Sequence, residues 1–271
     1  MERYEENPVL DRLRPDCISC LLKKYMASIP EEAPDEKKRQ FMQKMMRILA
    51  DAKAHVSAPV LSRLLDEQLE VSEDPLRLAL QYAMVGNYID FGAVGIVDET
   101  YLTALLKDAA LNSVDERTFA QLKLELESAE KLVYLTDNCG EIVMDKLLIG
   151  QLKALYPQME LTVIVRGGEV LNDATVEDAV QVGLTELVPV IDNGNSIAGT
   201  WMDEVSAQAR HVMEDADLIL AKGQANYETL RGCGMNIYYI FLCKCEMFAR
   251  MFQVPRFSGM LLKERETGIG I

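Results

Sequence analysis

Leu132-Val-Tyr-Leu-Thr-Asp-Asn-Cys-Gly-Glu-Ile-Val-Met-Asp145 opens as a β-rich apolar run, breaks at Asp137-Asn138-Cys139-Gly140 and resumes as an amphipathic helix from Glu141. A strand that ends in oxygen-bearing side chains and a glycine, directly before a helix, puts those oxygens at the carboxyl edge of an α/β sheet, where such sheets bind ligands. An Asp-Asn pair supplies the hard oxygen donors that Mg²⁺ or Mn²⁺ prefer, and Gly140 lets the backbone approach a ligand closely. The helix amides behind it can receive an anion. The same residues also suit a plain helix start, with Asp137 as the cap and Asn138-Cys139-Gly140 as the turn. Taken alone, the stretch favours that plainer reading.

Downstream, strand and helix alternate. Apolar β-rich runs lie at Leu132 to Leu135, Leu161 to Val165, Leu187 to Ile191, Leu218 to Ala221 and Ile237 to Leu242. Helical patterns fill the intervals at Ile142 to Tyr156, Val176 to Val182, Met202 to Met213 and near Tyr227 to Arg231, with Glu246 to Phe252 after the last strand. This spacing predicts an α/β fold: a Rossmann-like three-layer α/β/α domain with a mostly parallel sheet over residues 131–271. Upstream the period changes. Apolar residues recur every three or four positions in Cys17 to Ala27, Phe41 to Ala54, Val60 to Leu69, Leu76 to Met84, Tyr101 to Leu111 and Phe119 to Leu126. Proline, serine and asparagine punctuate them, which predicts a helical amino-terminal domain of five or six helices over residues 1–130.

The 271 residues are 49% hydrophobic, enough for a sizeable core. Twenty-eight basic residues against 43 acidic ones give a net charge of −15, a field that opposes nonspecific binding to nucleic acid or to an anionic membrane. The amino terminus lacks the apolar core of a signal peptide and no run reaches membrane-spanning length, so a soluble, cytoplasmic chain is expected. Six cysteines in a chain this long suit reduced thiols or metal ligands better than a disulfide scaffold. With only His55 and His211, a site built from several histidines is excluded. Cys17-Ile-Ser-Cys20 sets two thiols on one helical face, which suits half a zinc site, a redox pair or simply two unligated thiols.

The other strand exits repeat the polar theme. Arg166-Gly-Gly-Glu-Val-Leu-Asn-Asp173 follows the second strand and leads to a capping-box pattern at Thr175-Val-Glu-Asp178. Arg166 can hold a phosphate bidentately and Asp173 can add a carboxylate to a metal; a glycine turn with Asn172 or Asp173 as a cap is the structural alternative. The fourth strand exits through Lys222-Gly-Gln-Ala-Asn-Tyr-Glu228, where an ammonium and exposed amides suit phosphate oxygens. Lys244 follows the fifth strand. Gly86-Asn-Tyr-Ile-Asp-Phe-Gly92 ends an apolar helix and matters only if the helical half closes over the site. Together these exits read as a divalent metal flanked by phosphate-binding cations, a set that serves phosphoryl transfer. No Gly-x-Gly-x-x-Gly follows the first strand, which lowers a dinucleotide reading.

Asp137-Asn138-x-Gly140-Glu141 with Asp145, Asn172-Asp173-Ala-Thr175-x-x-Asp178, Asp217-Leu-Ile-x-x-Lys222-Gly-Gln-x-Asn226-Tyr-Glu228 and Lys244-Cys245 resemble the damage-control phosphatases, long catalogued as domain of unknown function 89. Cys17-x-x-Cys20 and Gly86-Asn-Tyr-Ile-Asp90 extend the resemblance over nearly the whole chain, toward the subfamily with paired amino-terminal cysteines. The resemblance implies a metal-dependent phosphatase acting on small phosphorylated metabolites, sugar phosphates among them, with Mn²⁺, Co²⁺, Ni²⁺ or Mg²⁺. By the same resemblance Asp137, Asn138 and Asp173 hold the metal and carry catalysis. Lys222, Gly223, Gln224, Asn226 and Lys244 hold the phosphate and its neighbouring hydroxyls. Arg166, Asn172 and Glu228 line the same substrate site, with Asn87 and Asp90 reaching in from the helical half.

Two positions depart from the family pattern: Cys139 stands where alanine is common and Glu169 where proline is common. Cys139 is small enough for the turn, and a thiol beside the metal adds oxidation sensitivity or a preference for softer ions. Two alternatives remain open. A methyltransferase would bind a nucleoside cofactor without metal, and a non-catalytic sensor would bind a phosphometabolite without turning it over. Substrate identity, preferred metal and oligomeric state are not written in these patterns.

Overall fold

The computed structural model describes residues 69–86, 114–243, 246–256 and 258–264. The elements follow the predicted alternation. Helix α1 (Pro75–Val85) begins at Asp74, whose carboxylate accepts from Arg77 N at 3.1 Å, with proline at the first helical position. Helix α2 (Glu116–Ser128) starts in the same way, Asp115 accepting from Thr118 N at 2.7 Å. Then come β1 (Lys131–Leu135), α3 (Ile142–Leu155), β2 (Glu160–Val165), α4 (Val176–Gln181), β3 (Val190–Asp192), α5 (Ala207–Glu214) and β4 (Leu218–Lys222). Helix α6 (Gln224–Leu230), β5 (Ile237–Leu242), α7 (Glu246–Phe252) and β6 (Gly259–Lys263) complete the described chain.

The six strands form one sheet in the order β3-β2-β1-β4-β5-β6. Every neighbouring pair is parallel except β5 and β6, which run antiparallel. A parallel strand must be covered on both faces, and the strand sequences obey that demand. In β1, Leu132 and Tyr134 join one apolar cluster with the buried sides of α1, α2 and α3, while Val133 and Leu135 join another with α5, α6 and α7. The period-two alternation of a strand divides its side chains between two helical layers. The α/β/α reading from sequence therefore holds. Helices α1 and α2 bury their apolar faces on this sheet, with Leu80, Met84, Phe119 and Leu126 almost wholly enclosed.

Three differences from the sequence reading have local causes. The third strand lies at Val190–Asp192, because Leu184 to Val188 turn back through hydrogen bonds to the carbonyls of Ala179 and Leu184. Helix α5 begins at Ala207 and not near Met202: Ser206 caps it by accepting from Ala209 N at 3.1 Å, and the preceding residues form turns anchored on Trp201 O. Strand β6 was not expected from the sequence. Among the described residues, no helix is long and apolar enough to cross a membrane. The paired cysteines Cys17 and Cys20, together with Asn87, Asp90 and Lys244, lie outside the described residues.

Candidate functional site

β1 and β4 are adjacent, but their crossovers leave in opposite directions, α3 leading toward β2 and α6 toward β5. The chain ends of these two strands therefore diverge and open a crevice, the place where a doubly wound sheet receives ligands. Asp137 leaves β1 on one side of it and Gly223 leaves β4 on the other.

The β1 exit is stitched to the β2 exit by backbone. Asn138 and Asp173 pair in an isolated antiparallel bridge, Cys139 N donates to Asn172 O at 2.8 Å and Ala174 N donates to Asp137 O at 2.7 Å. Those bonds bring Asp137 and Asn138 together with Asp173, which lies 35 positions beyond Asn138 in the chain. Thr175 and Asp178 form the expected capping box, with Thr175 N donating to Asp178 Oδ2 at 2.7 Å. Gly223 approaches from β4 with φ +85°, and a Cβ there would collide with the Asp137 carboxylate. Only glycine permits both the backbone angle and the approach.

The side chains below the backbone form one buried network. Arg166 Nε donates to Asp173 Oδ2 at 2.6 Å, and its two terminal nitrogens donate to Thr200 Oγ1 at 3.3 Å and Asn226 Oδ1 at 3.1 Å. Asn226 donates in turn to the carbonyls of Thr136 and Lys222 at 3.0 and 2.6 Å, tying the β1 and β4 exits together. Lys222 Nζ donates to Glu141 Oε2 at 2.6 Å and to Asp145 Oδ1 at 2.8 Å, and Tyr134 adds its hydroxyl to the same Asp145 oxygen at 2.8 Å. Asn138 Nδ2 donates to Glu141 Oε1 at 2.8 Å and to Asp137 Oδ2 at 3.1 Å.

The sequence reading gives Arg166 and Lys222 to a phosphate; here both are engaged by carboxylates and are almost wholly enclosed. Asn226 is likewise a buried strut. Gln224 and Glu228 pair with each other across one turn of α6 at 2.8 Å, outside that network, with Gln224 Oε1 buried and unpartnered among the described residues. Asn172 contributes its carbonyl to the stitch and is half-buried. Thr200, Tyr134 and the joint role of Glu141 and Asp145 went unread in the sequence. The four-residue interval from Glu141 to Asp145, which puts two acids on one helical face, was the available signal.

Four buried carboxyls, those of Asp137, Glu141, Asp145 and Asp173, face two buried cations, Arg166 and Lys222. Ionised, the cluster carries an excess of two negative charges. Burial, reinforced by Glu141 and Asp173, holds the Asp137 carboxyl well above the usual carboxylate range against the pull of Arg166 and Lys222. Burial also pushes Asp145 up to about 6 even with Lys222 beside it. Burial alone would lower the Lys222 ammonium, but Asp145 and Glu141 raise it. A divalent cation at the mouth of this cluster would offset the excess charge, and oxygen donors of this kind suit Mg²⁺ or Mn²⁺. No three His, Cys, Asp or Glu side chains among the described residues form a metal-ligand cluster, so such a site rests on two carboxylates and the amide oxygen of Asn138. Asn138 Oδ1 accepts no hydrogen bond from the described residues, which leaves it available as that third donor.

A family model for the damage-control phosphatase ARMT1-like domain matches residues 53–259. A damage-control phosphatase of Archaeoglobus fulgidus is 36% identical over 205 residues, covering 73% of this chain and 69% of that protein. A damage-control phosphatase of Pyrococcus horikoshii is 33% identical over 192 residues, with 69% and 65% covered. An uncharacterized protein of Methanocaldococcus jannaschii is 28% identical, with 93% and 95% covered. The crystal structure of a DUF89 family protein from Pyrococcus horikoshii shares the fold with a TM-score of 0.68 at 24% identity, over 93% of this chain and 99% of that one. A matched region that spans the crevice and both of its stitched loops assigns the chain to a family: it belongs to the damage-control phosphatases of the ARMT1-like type.

Proposed function

We propose that this chain is a metal-dependent phosphatase that hydrolyses small phosphorylated metabolites, sugar phosphates among them. The observation that carries the reading is the meeting of Asp137, Asn138 and Asp173 at the sheet's switch point, in a buried cluster of four carboxyls against two cations. Asp137, Asn138 and Asp173 would hold Mn²⁺, Co²⁺, Ni²⁺ or Mg²⁺, which when bound supplies charge neutralisation for phosphoryl transfer. Arg166 fixes the Asp173 carboxylate by a charge-assisted bond at 2.6 Å. Gly223 leaves the Asp137 carboxylate its space. Gln224, with an unpartnered amide oxygen beside that glycine, is the described residue best suited to a substrate hydroxyl. Asn87, Asp90 and Lys244 complete the substrate site in this reading, and the Cys17–Cys20 pair supports membership of the paired-cysteine subfamily.

Two routes use this site: attack by the Asp137 carboxylate, or attack by water with Asp137 as a ligand only. A phosphoenzyme captured by acid quench marks the first. The decisive assay is phosphate release from p-nitrophenyl phosphate and a panel of sugar phosphates, using chelator-stripped protein with each metal added back. Turnover that returns with metal and disappears in Asp137→Asn is the expected result; absence of turnover with every metal, despite metal binding, would favour a sensor. Asp173→Ala is the harsher variant, because it strands the Arg166 guanidinium, and breaking such a buried pair costs about 3–5 kcal/mol.

A further inference from the structure

The amide of Asn138 has two faces and only one of them is useful to a cation. Its Nδ2 sits 2.8 Å from Glu141 Oε1 and 3.1 Å from Asp137 Oδ2, and its backbone N–H lies 3.3 Å from the same Glu141 oxygen. Turned over, the amide would set its own oxygen against Glu141 Oε1 at 2.8 Å, acceptor facing acceptor, and would lose its donation to Asp137 Oδ2. The orientation of the amide is therefore imposed by its neighbours. Glu141 in turn is not free to move. Its other oxygen accepts from Lys222 at 2.6 Å, and Lys222 is held by Asp145 at 2.8 Å, whose accepting oxygen also takes the Tyr134 hydroxyl. All four of these side chains are buried, so the chain of bonds runs from the core of β1 and α3 up to the mouth of the crevice.

We propose that Glu141 is a positioning residue that locks Asn138 with its carbonyl oxygen toward the cation, and that Lys222 and Asp145 are the anchor that keeps Glu141 in place. The inference rests on the metal-dependent reading given above. It assigns Lys222 to the support of a ligand, which its burial and its two carboxylate partners require, and it explains why an acid is needed at 141: only a carboxylate offers an acceptor to Asn138 and to Lys222 at once. A glutamine there has one acceptor for two donors. Partners of this kind, one step behind the ligands, change metal affinity about 10- to 100-fold when lost.

The experiment is Mn²⁺ binding to the full chain, followed by the electron-spin-resonance signal of free Mn²⁺, with thermal unfolding as the control for folding. The parent chain should bind, and Glu141→Gln should weaken binding about 10- to 100-fold while remaining folded. If Glu141→Gln does not fold, two neutral pairs replace it. Glu141→Gln with Lys222→Met loses the anchor but keeps an acceptor for the Asn138 amide, and should bind Mn²⁺ several-fold more tightly than Glu141→Met with Lys222→Met, which offers Asn138 no acceptor at 141 and should stay about 10-fold or more weaker than the parent. Equal affinity in these two pairs, or parent-like binding by Glu141→Gln, overturns the role of Glu141 and leaves the metal reading intact. A parent chain that binds no Mn²⁺ overturns the metal reading itself, and the inference with it.

Discussion

Gly223 shows how narrow the tolerances at this crevice are, since its backbone sits at φ +85° and the Asp137 carboxylate occupies the space where any larger residue would put its Cβ. Gly223→Ala is expected to lose about 1–3 kcal/mol from the backbone alone, because φ +85° with ψ 155° is a region essentially restricted to glycine. Displacement of Asp137 should then remove phosphatase turnover, so a variant with parental melting and parental phosphate release would refute the close approach. Of the individual residues, the meeting of Asp137, Asn138 and Asp173 was legible because oxygen-bearing side chains recur at neighbouring strand exits, and an Asp-Asn or Asn-Asp pair there is visible in one dimension. Arg166 and Lys222 were legible as cations but not as partners. A sequence displays a charge without displaying what neutralises it, and the two acids that hold Lys222 lie 81 and 77 residues away.

Among the elements, α7 and β5 lie where the sequence placed them, because a continuous apolar strand followed by an amphipathic turn has no other comfortable reading. Strand β6 escaped because Gly-Met-Leu-Leu-Lys is short, carries no alternation and acquires its strand only by pairing antiparallel with β5. The layer built from α5, α6 and α7 is held by rings: Phe248 stacks on Phe252 at 5.8 Å and meets Tyr227 edge-on at 5.7 Å. Phe248→Ala should cost about 3–5 kcal/mol, read as a fall in the unfolding midpoint. Mn²⁺ affinity below the transition should not change, because Glu141 and Asp145 belong to α3 and its entry on the opposite face of the sheet. A loss of metal binding at temperatures where this variant is still folded would mean that the two layers are energetically joined.

The whole molecule feels the crevice through its protons. Asp145, raised to about 6 by burial, and Asp137, raised well above the usual range by burial and by Glu141, bind protons more tightly folded than unfolded. Their stabilising protonation is complete below the unfolded carboxylate value of about 4, and the contribution of Asp145 is lost as pH climbs through about 6. Asp115, Glu125 and Asp215, whose carboxyls are lowered by Thr118, Lys263 and Lys131, act in the opposite sense but at more acid pH. Metal-stripped protein should therefore melt higher at about pH 5.5 than at about pH 7.5, and added Mn²⁺ should raise the midpoint most at the higher pH. A midpoint that falls steadily on acidification would count against an excess of buried negative charge. The molecule is also closed by a contact between distant parts of the chain: Gly259 at the start of β6 packs so tightly on Met84 of α1 that a Cβ there would displace the methionine side chain. On a ribosome adding about 5–20 residues per second, the Met84 end of α1 emerges roughly 10–35 s before the strand that closes over it. A nascent chain of this protein must keep that end of α1 from sticking to its neighbours until β6 has been made.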